Sequence, residues 1–485
     1  MTIDSRLAEE LRASLGARFV LASPEERAPY ECDALTAHRR LPDLVVLPGT
    51  VDEVQTVLRI CRAHSTPVVA RGAGTGLSGG ALPVEGGVLL VLARLNQVLE
   101  VDAGRRLARV QPGVTNLAIS EAAKPHGLFY APDPSSQVAC TIGGNVAENS
   151  GGVHCLKYGL TLQNLLEVKI ATIDGDLLAV GSATGEAPGF ALLALVTGSE
   201  GMLGVVVEIT VRLVPQPERV ELLMASFDEA AACAEAVSRV IAEGIVPAGL
   251  EMMDAPAIQA AEAFVHCSYP LDAAALLLCE IDGLSPDVDA QLVTTRRVLE
   301  ESGAREVRIA ESASQRLRMW SGRKSAFPAV GRLAPDYYCM DGTIPRRHLA
   351  AVLARIAEMS GEFGLPVANV FHAGDGNLHP LIMFDGSRPD ELSRAEKFGA
   401  EILELCVAVG GTVTGEHGVG VEKLGPMCSQ FNHDELDVFH AVKRAFDPEG
   451  LLNPGKAVPT LARCAEYGAM RVHRGKLSHP ELPRF

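Results

Sequence analysis

The sequence predicts an α+β fold in which strands and helices alternate in the first third and a strand hairpin follows later. Two apolar runs, at 44–47 and 67–70, have the composition of buried strands, and they enclose a stretch with apolar residues at helical spacing. Residues 369–385 indicate a hairpin, because Asp-Gly between apolar runs is a strong turn signal. The later chain also contains two amphipathic helical patterns and one more buried strand, at 227–244, 345–364 and 274–283.

The composition is that of a globular protein with a large core. The chain has 485 residues, of which 47% are hydrophobic and 21% charged, so it is long enough for two or three domains. Its net charge of −17 disfavours nucleic acid and anionic membrane surfaces as partners, because both attract concentrated positive charge. The polar start lacks the apolar core of a signal peptide, and no later run has the length of a membrane span, so we expect a cytoplasmic protein.

The 11 cysteines give no sign of a redox or metal framework. They are odd in number, scattered, and contain no Cys-x-x-Cys pair. Neither a disulfide framework nor an iron–sulfur site is therefore predicted, and we expect reduced, mostly buried thiols.

The first helix joins two strands. Thr50 and Glu53 have the spacing of a capping box, and four apolar residues from Val54 to Cys61 lie on one helical face. Strand, helix and strand in so short a span predict a right-handed parallel crossover. The chain leaves the second strand directly into a glycine-rich loop, Arg71–Gly80.

This loop, RGAGTGLSGG, contains a literal G-x-G-x-x-G at Gly74, Gly76 and Gly79. A dinucleotide-binding Rossmann unit requires a helix after the glycines, whereas residues 81–92 indicate a turn and another strand. No Lys-Ser/Thr pair follows the glycines, so a nucleoside-triphosphate P-loop is excluded too. Two interpretations remain: a glycine-rich turn, or successive backbone N–H groups that converge on a diphosphate.

Two further segments favour a ligand. Residues 131–152 are too long, small and polar to form core, and residues 197–215 begin with a third glycine cluster. Three such loops in one region predict an extended ligand that lies across the domain.

The hairpin places two histidines symmetrically about Asp375-Gly376. If these are the two turn residues, His372 lies directly opposite His379 on one face of the ribbon. Their Cβ atoms would be about 4.5 to 5.5 Å apart, and both rings could reach one zinc ion at about 2.0 to 2.1 Å. The alternative is that each histidine is an ordinary surface or hydrogen-bonded residue, and two ligands alone do not make a site.

Four motifs together resemble the FAD-binding fold of the vanillyl-alcohol oxidase and p-cresol methylhydroxylase (PCMH) superfamily: RGAGTGLSGG, TIGGNVAENSGG, TGSEGMLGVV and LLNPGK. HAGDGNLHP and GEHGVG narrow the resemblance to its FAD-linked 2-hydroxy-acid dehydrogenases, which include glycolate, D-lactate and D-2-hydroxyglutarate dehydrogenases. The resemblance extends over residues 41–456, and residues 323–347 resemble the flavin subunits of bacterial glycolate oxidases.

The resemblance implies a division of the chain and a set of cofactor contacts. The division is an N-terminal helical segment (1–37), a two-subdomain PCMH-type FAD-binding domain (38–216), an antiparallel-sheet cap domain with flanking helices (217–424), and a C-terminal helical segment that returns to the flavin (425–485). The residues implied around FAD lie in the four flavin motifs and at Pro132, Ser135 and Ser136: Arg71, Gly72, Ala73, Gly74, Thr75, Gly76, Leu77, Ser78, Pro132, Ser135, Ser136, Thr141, Gly143, Gly144, Asn145, Asn149, Ser150, Gly151, Gly152, Glu200, Gly204, Val205, Val206 and Asn453.

A metal site of two histidines and one carboxylate is also implied, at His372, His379 and Glu416. Zinc is our first choice, and manganese and iron stay open because the same ligands suit them. His417 would take the substrate's hydroxyl proton while the Cα hydride passes to flavin N5, since a neutral imidazole has a pKa of about 6.5 and the metal lowers the pKa of the hydroxyl. The alternative role for His417 is that of a fourth metal ligand.

The implied substrate is a small 2-hydroxy acid. Arg323 matches the position at which relatives bind the substrate carboxylate, and a guanidinium suits bidentate capture. Relatives specific for hydroxyglutarate have a lysine near the position of Cys339 and an asparagine near that of Leu381, and both residues here are poor partners for a second carboxylate. Glycolate or D-lactate therefore fits better, with a stand-alone D-lactate or D-2-hydroxyglutarate dehydrogenase as the alternative.

Because the chain has no cluster motif, electrons must leave the reduced flavin for another molecule. The resemblance implies a second flavin-type subunit and an iron–sulfur subunit as partners, which could hold the chain at the inner membrane. The first flavin loop has no His or Cys, so we expect noncovalent FAD, with His154 and Cys155 as the residues that leave covalent attachment open. Two other classes also stay open: a metal hydrolase that uses the same ligands, and a non-catalytic assembly subunit.

Overall fold

The computed structural model describes residues 4–185, 189–460, 463–464, 472–473 and 476–477. These residues form two units, each built from separate stretches of chain. The first unit comprises Met1–Gly151, Leu160–Pro215 and Glu416–Phe485, and the second comprises Gly152–Gly159 and Gln216–Gly415. The glycine-rich segments therefore lie in the first unit up to Gly151, and the histidine hairpin lies in the second.

Up to residue 215 the chain forms short helices and strands, all of the first unit except α6. They are α1 Ser5–Leu15, β1 Val20–Leu21, α2 Pro24–Arg27, β2 Leu44–Val46, α3 Val51–Ala63, β3 Val68–Arg71, β4 Val88–Val91, β5 Val98–Asp102, β6 Leu107–Val110, α4 Asn116–Ala123, β7 Leu128–Phe129, α5 Ile142–Glu148, α6 Cys155–Tyr158, β8 Leu165–Ala171, β9 Leu177–Gly181, α7 Leu192–Val196, β10 Val205–Arg212 and β11 Val214–Pro215.

Two main sheets organise the first unit. One has the order β1-β2-β4-β3, in which β2 and β3 each pair in parallel with β4. The predicted crossover through α3 therefore connects β2 and β3, and β4 lies between these two strands. The other is antiparallel, with the order β5-β6-β10-β8-β9. Strands β7 and β11 form a separate two-stranded sheet. Each main sheet has its own apolar core. These are the two subdomains that the sequence predicts for the FAD-binding domain.

Helix α3 shows how the sequence fixes local structure. Its predicted N-cap is confirmed, because the Thr50 hydroxyl accepts a hydrogen bond from the Glu53 N–H at 3.1 Å. The reciprocal bond of a capping box differs from the prediction: the Glu53 carboxylate accepts from the N–H of Gly49, at 2.6 Å, one residue before the cap. Val54, Val57, Leu58 and Cys61 are fully buried, as the pattern predicts.

The second unit is an antiparallel sheet with helices. After α6 its elements are β12 Arg219–Phe227, α8 Ala230–Ala242, β13 Gly249–Asp254, α9 Ala255–Val265, β14 Ala275–Gly283, α10 Ser285–Glu301, β15 Glu306–Ile309, α11 Ala313–Lys324, α12 Ala326–Val330, β16 Asp336–Cys339, α13 Leu349–Phe363, β17 Val367–His372, β18 Asn377–Phe384 and α14 Pro389–Ala408. The seven strands have the order β15-β12-β14-β13-β17-β18-β16. The predicted helices at 227–244 and 345–364 and the strand at 274–283 are confirmed as α8, α13 and β14.

From residue 416 the chain rejoins the first unit. Its elements there are α15 Leu424–Gln430, α16 His433–Phe446 and the short pair β19 Val472–His473 and β20 Lys476–Leu477. Leu452 forms a parallel bridge with Val68, and the Asn453 N–H donates to the Val68 carbonyl at 2.8 Å. None of the helices in the described part of the chain has the length and hydropathy of a transmembrane span.

One cysteine pair corrects the expectation of reduced thiols. Cys428 and Cys464 form a disulfide, with their Cα atoms 5.3 Å apart, next to the buried side chain of Leu436. The two residues are 36 positions apart and belong to no spacing motif, so nothing in the sequence marks them as partners. The other nine cysteines are free thiols, as predicted.

Candidate active site

The hairpin exists, but its register differs from the prediction. His372 pairs with Asn377, and His379 pairs with Val370, so residues 373–376 form a four-residue connection instead of a two-residue turn. Because side chains alternate along a strand, residues 370 and 372 share a face with residues 377 and 379. The two histidines are therefore diagonal neighbours on one face, not direct partners.

The diagonal arrangement still brings the two imidazoles together. Their ring centroids are 5.0 Å apart with the planes nearly perpendicular, and each offers a nitrogen within 4.8 Å of the other. Both side chains are buried, His372 at 4% and His379 at 1% exposure. The predicted juxtaposition is thus present, through a geometry that the sequence argument did not anticipate.

The Nδ1 atoms of both histidines contact protein oxygens. His372 Nδ1 lies 2.9 Å from Oε1 of Glu251, and His379 Nδ1 lies 3.2 Å from the carbonyl oxygen of Met340. A carbonyl or carboxylate oxygen can only accept, so each Nδ1 carries the proton and donates. That tautomer leaves the lone pair on Nε2, which is the arrangement found in metal-ligating histidines.

Glu251 is a site residue that the sequence argument missed. Its Oε2 lies 2.7 Å from Nη2 of Arg323, and both side chains are 1% exposed, so one carboxylate joins a predicted metal ligand to the predicted substrate arginine. Arg323 lies on α11, and its Nε is buried without a hydrogen-bond partner among the described residues. The sequence does contain a signal for this role, because Glu251 is a single acid within the apolar strand segment Leu250–Met253. A charge buried in such a strand needs a partner.

Glu416 and His417 lie at the start of the last stretch of the first unit. Gly415, the final residue of the second unit, is fixed beside the hairpin, because its N–H donates to the Asp341 carbonyl at 2.8 Å and a Cβ there would overlap Asn377. Glu416 follows it directly along the chain. The Glu416 and His417 side chains approach each other, with 3.8 Å between Oε1 and Nε2.

The first glycine loop, Arg71–Gly80, lies against α5 in the first unit. A Cβ at Gly72 would overlap the hydroxyl of Thr141, the residue just before α5, and Gly74 has a φ of +76° that favours glycine. Gly76 differs, since a Cβ there would come no closer than 3.9 Å to any protein atom. The fold itself therefore does not require glycine at position 76.

Other predicted cofactor residues hold the loops together. Asn145 donates to the side chain of Asn116, which in turn donates to the carbonyl of Pro132, at 2.9 and 2.8 Å. Asn149 has a left-handed backbone with a φ of 55°, and its side chain accepts from the Leu162 N–H. Three of the predicted cofactor residues have a polar side-chain atom that is buried without a hydrogen-bond partner among the described residues: Ser78 Oγ, Thr141 Oγ1 and Asn453 Oδ1.

The remaining predicted cofactor residues occupy the same segments of the chain. Gly143 is fixed by its N–H bond to the Pro112 carbonyl, and Val205 and Val206 open β10, where they pair with Ala171 and Ile170. Ser135 is exposed, and Ser136 anchors a turn through its carbonyl. Gly152 is the one predicted cofactor residue that falls in the second unit.

Charged side chains are buried beside the glycine loops of the first unit. Lys456 is 1% exposed, and its ammonium group donates to the Gly80 carbonyl at 2.9 Å. Burial lowers the pKa of Lys456 to about 7, against the opposing effect of the Asp33 carboxylate. Burial raises the pKa of Glu148, and the neighbouring Glu200 carboxylate adds to this effect.

His154 and Cys155, the residues that left covalent flavin attachment open, belong to the second unit. His154 Nε2 lies 2.9 Å from Glu280 of β14, and the Trp320 indole N–H donates to the same carboxylate. Tyr158, at the end of α6, also contacts an acid of β14, since its hydroxyl donates to Asp282 at 2.6 Å.

The residues expected to set substrate size face each other. Cys339 of β16 pairs directly with Leu381 of β18, and both are buried in the same apolar cluster. The Cys339 thiol also lies within 4.8 Å of a ring nitrogen of His379, a neighbour that the sequence argument did not consider.

Two family descriptions match this chain. Residues 42–181 match the FAD binding domain family, and residues 216–457 match the C-terminal domain of FAD linked oxidases. The chain is 59% identical over 475 residues to glycolate oxidase subunit GlcD of Escherichia coli (strain K12), with 98% of this chain and 95% of the relative covered. It is 32% identical over 439 residues to a D-lactate dehydrogenase of Archaeoglobus fulgidus, with 89% and 95% covered.

The fold is shared with a solved enzyme structure. A crystal structure of p-cresol methylhydroxylase with substrate bound superimposes with a TM-score of 0.81 at 18% identity, covering 95% of this chain and 98% of that one. This likeness concerns the fold, and it extends over both units.

Proposed function

The chain belongs to the FAD-dependent 2-hydroxy-acid dehydrogenases of the FAD-linked oxidase family, and we propose from this that it oxidises glycolate to glyoxylate. The observation that carries the choice of substrate is the 59% identity, over 98% of the chain, to a protein named as a glycolate oxidase subunit. The proposal also assigns roles to the buried residues described above.

The described residues suit FAD in the first unit. Ser78, Thr141 and Asn453 each have a buried polar atom without a hydrogen-bond partner among the described residues, and such atoms are costly unless a ligand or water satisfies them. Gly76 has space for a Cβ that the protein does not fill, which supports close approach of a diphosphate to the backbone. We propose noncovalent binding, since the first loop has no His or Cys.

The donor set in the second unit suits a divalent metal. His372 and His379 both engage Nδ1 with an oxygen acceptor, which favours Nε2 as the ligating atom. We propose that Glu416 completes the set, because two histidines and a carboxylate suit zinc, manganese or iron and leave positions for substrate. Zinc remains our first choice.

The chain's own residues then bind the acid and remove its proton. We propose that Arg323 binds the substrate carboxylate, for which the buried Nε offers a donor. His417 takes the hydroxyl proton, because the lone pair of a neutral imidazole can accept it. When bound, FAD supplies the acceptor for the Cα hydride and the metal a Lewis acid for the hydroxyl.

Glycolate is favoured over larger diacids by the Cys339–Leu381 pair. Neither side chain can donate a charged hydrogen bond to a second carboxylate, and both are buried in an apolar cluster. D-lactate adds one methyl group to glycolate and stays a candidate, because a relative with 32% identity is named as a D-lactate dehydrogenase. The electrons then pass to other subunits, which the name of the glycolate oxidase relative implies for that protein.

The deciding experiment is flavin bleaching under anaerobic conditions. The purified protein should be yellow, and glycolate should bleach it faster than D-lactate, L-lactate or D-2-hydroxyglutarate. Fastest bleaching by D-2-hydroxyglutarate would contradict the role of the Cys339–Leu381 pair. A colourless protein, after expression with added flavin, would contradict the proposal as a whole.

A further inference from the structure

Glu200 occupies an unusual position for a residue expected to contact FAD. It lies in the third glycine segment of the first unit, is 5% exposed, and has a left-handed backbone with a φ of 52°. A non-glycine residue in this region is strained and persists only where the surroundings require it. The contacts of its side chain show what requires it.

Both carboxylate oxygens of Glu200 accept backbone hydrogen bonds. The Val419 N–H donates to Oε1 and the Gly420 N–H donates to Oε2, each at 2.7 Å. Burial raises the pKa of Glu200, and these two backbone bonds oppose that effect because they stabilise the ionised carboxylate. The carboxylate therefore binds the backbone N–H groups of Val419 and Gly420, two and three residues after His417.

The same short segment is held at two further points. The Lys423 ammonium donates to the Gly418 carbonyl at 2.7 Å, and the Val421 N–H donates to the Ser78 carbonyl at 2.9 Å. Gly420 fits this path only because it lacks a Cβ, which would overlap the Ser78 carbonyl. The backbone from 418 to 421 is thus fixed within the first unit.

Asn453 extends the connection to the flavin loop. Its side-chain N–H groups donate to the backbone carbonyls of Glu200, at 2.6 Å, and Gly80, at 3.1 Å. Two residues that the sequence assigns to the cofactor thus tie three segments to one another: the first glycine loop, the third glycine segment and the chain after His417.

We propose that Glu200 is a positioning residue for His417, which it holds in place through the peptide groups of Val419 and Gly420. This inference rests on the proposed role of His417 as the base. A base acts only when its nitrogen is within hydrogen-bond reach of the proton that it takes, and a displacement of about 1 Å can cost about 100-fold in rate. No bond from Glu200 to substrate is needed for this role.

Glu200→Gln tests the proposal at nearly constant size. The amide keeps one oxygen acceptor and presents an NH₂ group to the second backbone N–H, so one of the two bonds is replaced by a donor–donor clash. We expect full flavin content, an unchanged KM for glycolate, and anaerobic flavin reduction by glycolate that is roughly 10 to 100 times slower. Reduction by dithionite, which needs no base, should keep its wild-type rate.

Glu148→Gln is the matched control. Glu148 also lies against Gly418, but its Oε2 has no hydrogen-bond partner among the described residues, so an amide at this position removes no backbone hydrogen bond from that atom. We expect this variant to reduce its flavin with glycolate as fast as the wild type does.

Three results would overturn the proposal. Flavin reduction at the wild-type rate in Glu200→Gln would show that the two hydrogen bonds to the Glu200 carboxylate do not position the base. Loss of flavin or of folded protein in that variant would make Glu200 a cofactor or scaffold residue. Equal slowing in Glu148→Gln would assign the effect to the buried charge of the region. His417→Asn, measured in parallel, separates this question from the base assignment, because fast reduction in that variant would refute the base itself.

Discussion

Glu251→Gln should weaken metal binding through the tautomer of His372. The charged guanidinium of Arg323, 2.7 Å from Glu251, will attract the single oxygen of the new amide. The NH₂ group then takes the place of Oε1, 2.9 Å from His372 Nδ1, and favours the tautomer in which Nδ1 accepts and Nε2 carries the proton, in competition with the retained oxygen at 3.0 Å. A protonated Nε2 cannot bind a metal ion.

The expected magnitude follows from the same contacts. Loss of a carboxylate that orients a ligating histidine typically lowers metal affinity about 10 to 100-fold, which corresponds to about 1.4 to 2.8 kcal/mol. Stability should fall as well, because Arg323 is 1% exposed and loses its charged partner. Removing one member of a buried ion pair costs about 3 to 5 kcal/mol, and the amide oxygen recovers part of it.

Glu280→Gln supplies the control for this prediction. Glu280 is also a buried acid of the same sheet that contacts a histidine, His154, and a second donor, Trp320. Its replacement makes the same chemical change away from the metal ligands. It should lower stability without affecting metal affinity.

The assay is competition with a coloured zinc chelator, together with elemental analysis of each purified variant. Thermal unfolding in EDTA separates the stability of the metal-free protein from metal binding. Wild-type zinc affinity in Glu251→Gln would refute the tautomer argument. An equal loss in both variants would attribute the effect to general destabilisation.

Four more substitutions, at three positions, test the site. Gly76→Ala should fold normally, since its Cβ meets no protein atom within 3.9 Å, yet lower FAD affinity, and Gly76→Val should abolish flavin binding, as measured by flavin content. A full flavin complement in Gly76→Val would remove the loop from the cofactor site. His379→Ala should deplete the metal and leave FAD in place, as elemental analysis and absorbance on one sample would report, and unchanged metal would defeat the ligand assignment. His417→Asn should keep FAD and metal while single-turnover flavin reduction slows by about 10² to 10⁴. Lost metal in that variant would instead make His417 a ligand.

The sequence predicts the hairpin but not its register. Asp-Gly favours a two-residue turn, yet the Gly376 N–H donates to the His372 carbonyl at 3.1 Å and residues 373–376 form the connection. Tertiary hydrogen bonds hold this longer connection, since the Gly374 N–H donates to the Leu250 carbonyl and the Ile344 N–H donates to the Gly376 carbonyl, each at 2.9 Å. The two histidines still share a face, because the shift moves each pairing by two residues and side chains alternate with period two.

Contacts between residues that are distant in sequence could not be predicted from the sequence. Glu251 and His372 are 121 residues apart, and Glu200 and Val419 are 219 apart, so no local pattern connects them. The motifs could be assigned to the cofactor region, but not divided into residues that touch a ligand and residues that support others. Glu200 and Asn453 show the difference, since both hold backbone groups of the protein.

The return of the chain to the first unit affects how the protein can be made. The Gly80 carbonyl accepts a hydrogen bond from Lys456, which is 376 residues later in the chain. At a synthesis rate of about 5 to 20 residues per second, Lys456 is added roughly 20 to 75 s after Gly80. The stretch 216–415 leaves the ribosome within that interval and holds a complete seven-stranded sheet. The glycine loops, although made early, should therefore acquire their buried lysine last, so truncation before Asn453 should yield a chain that cannot retain flavin.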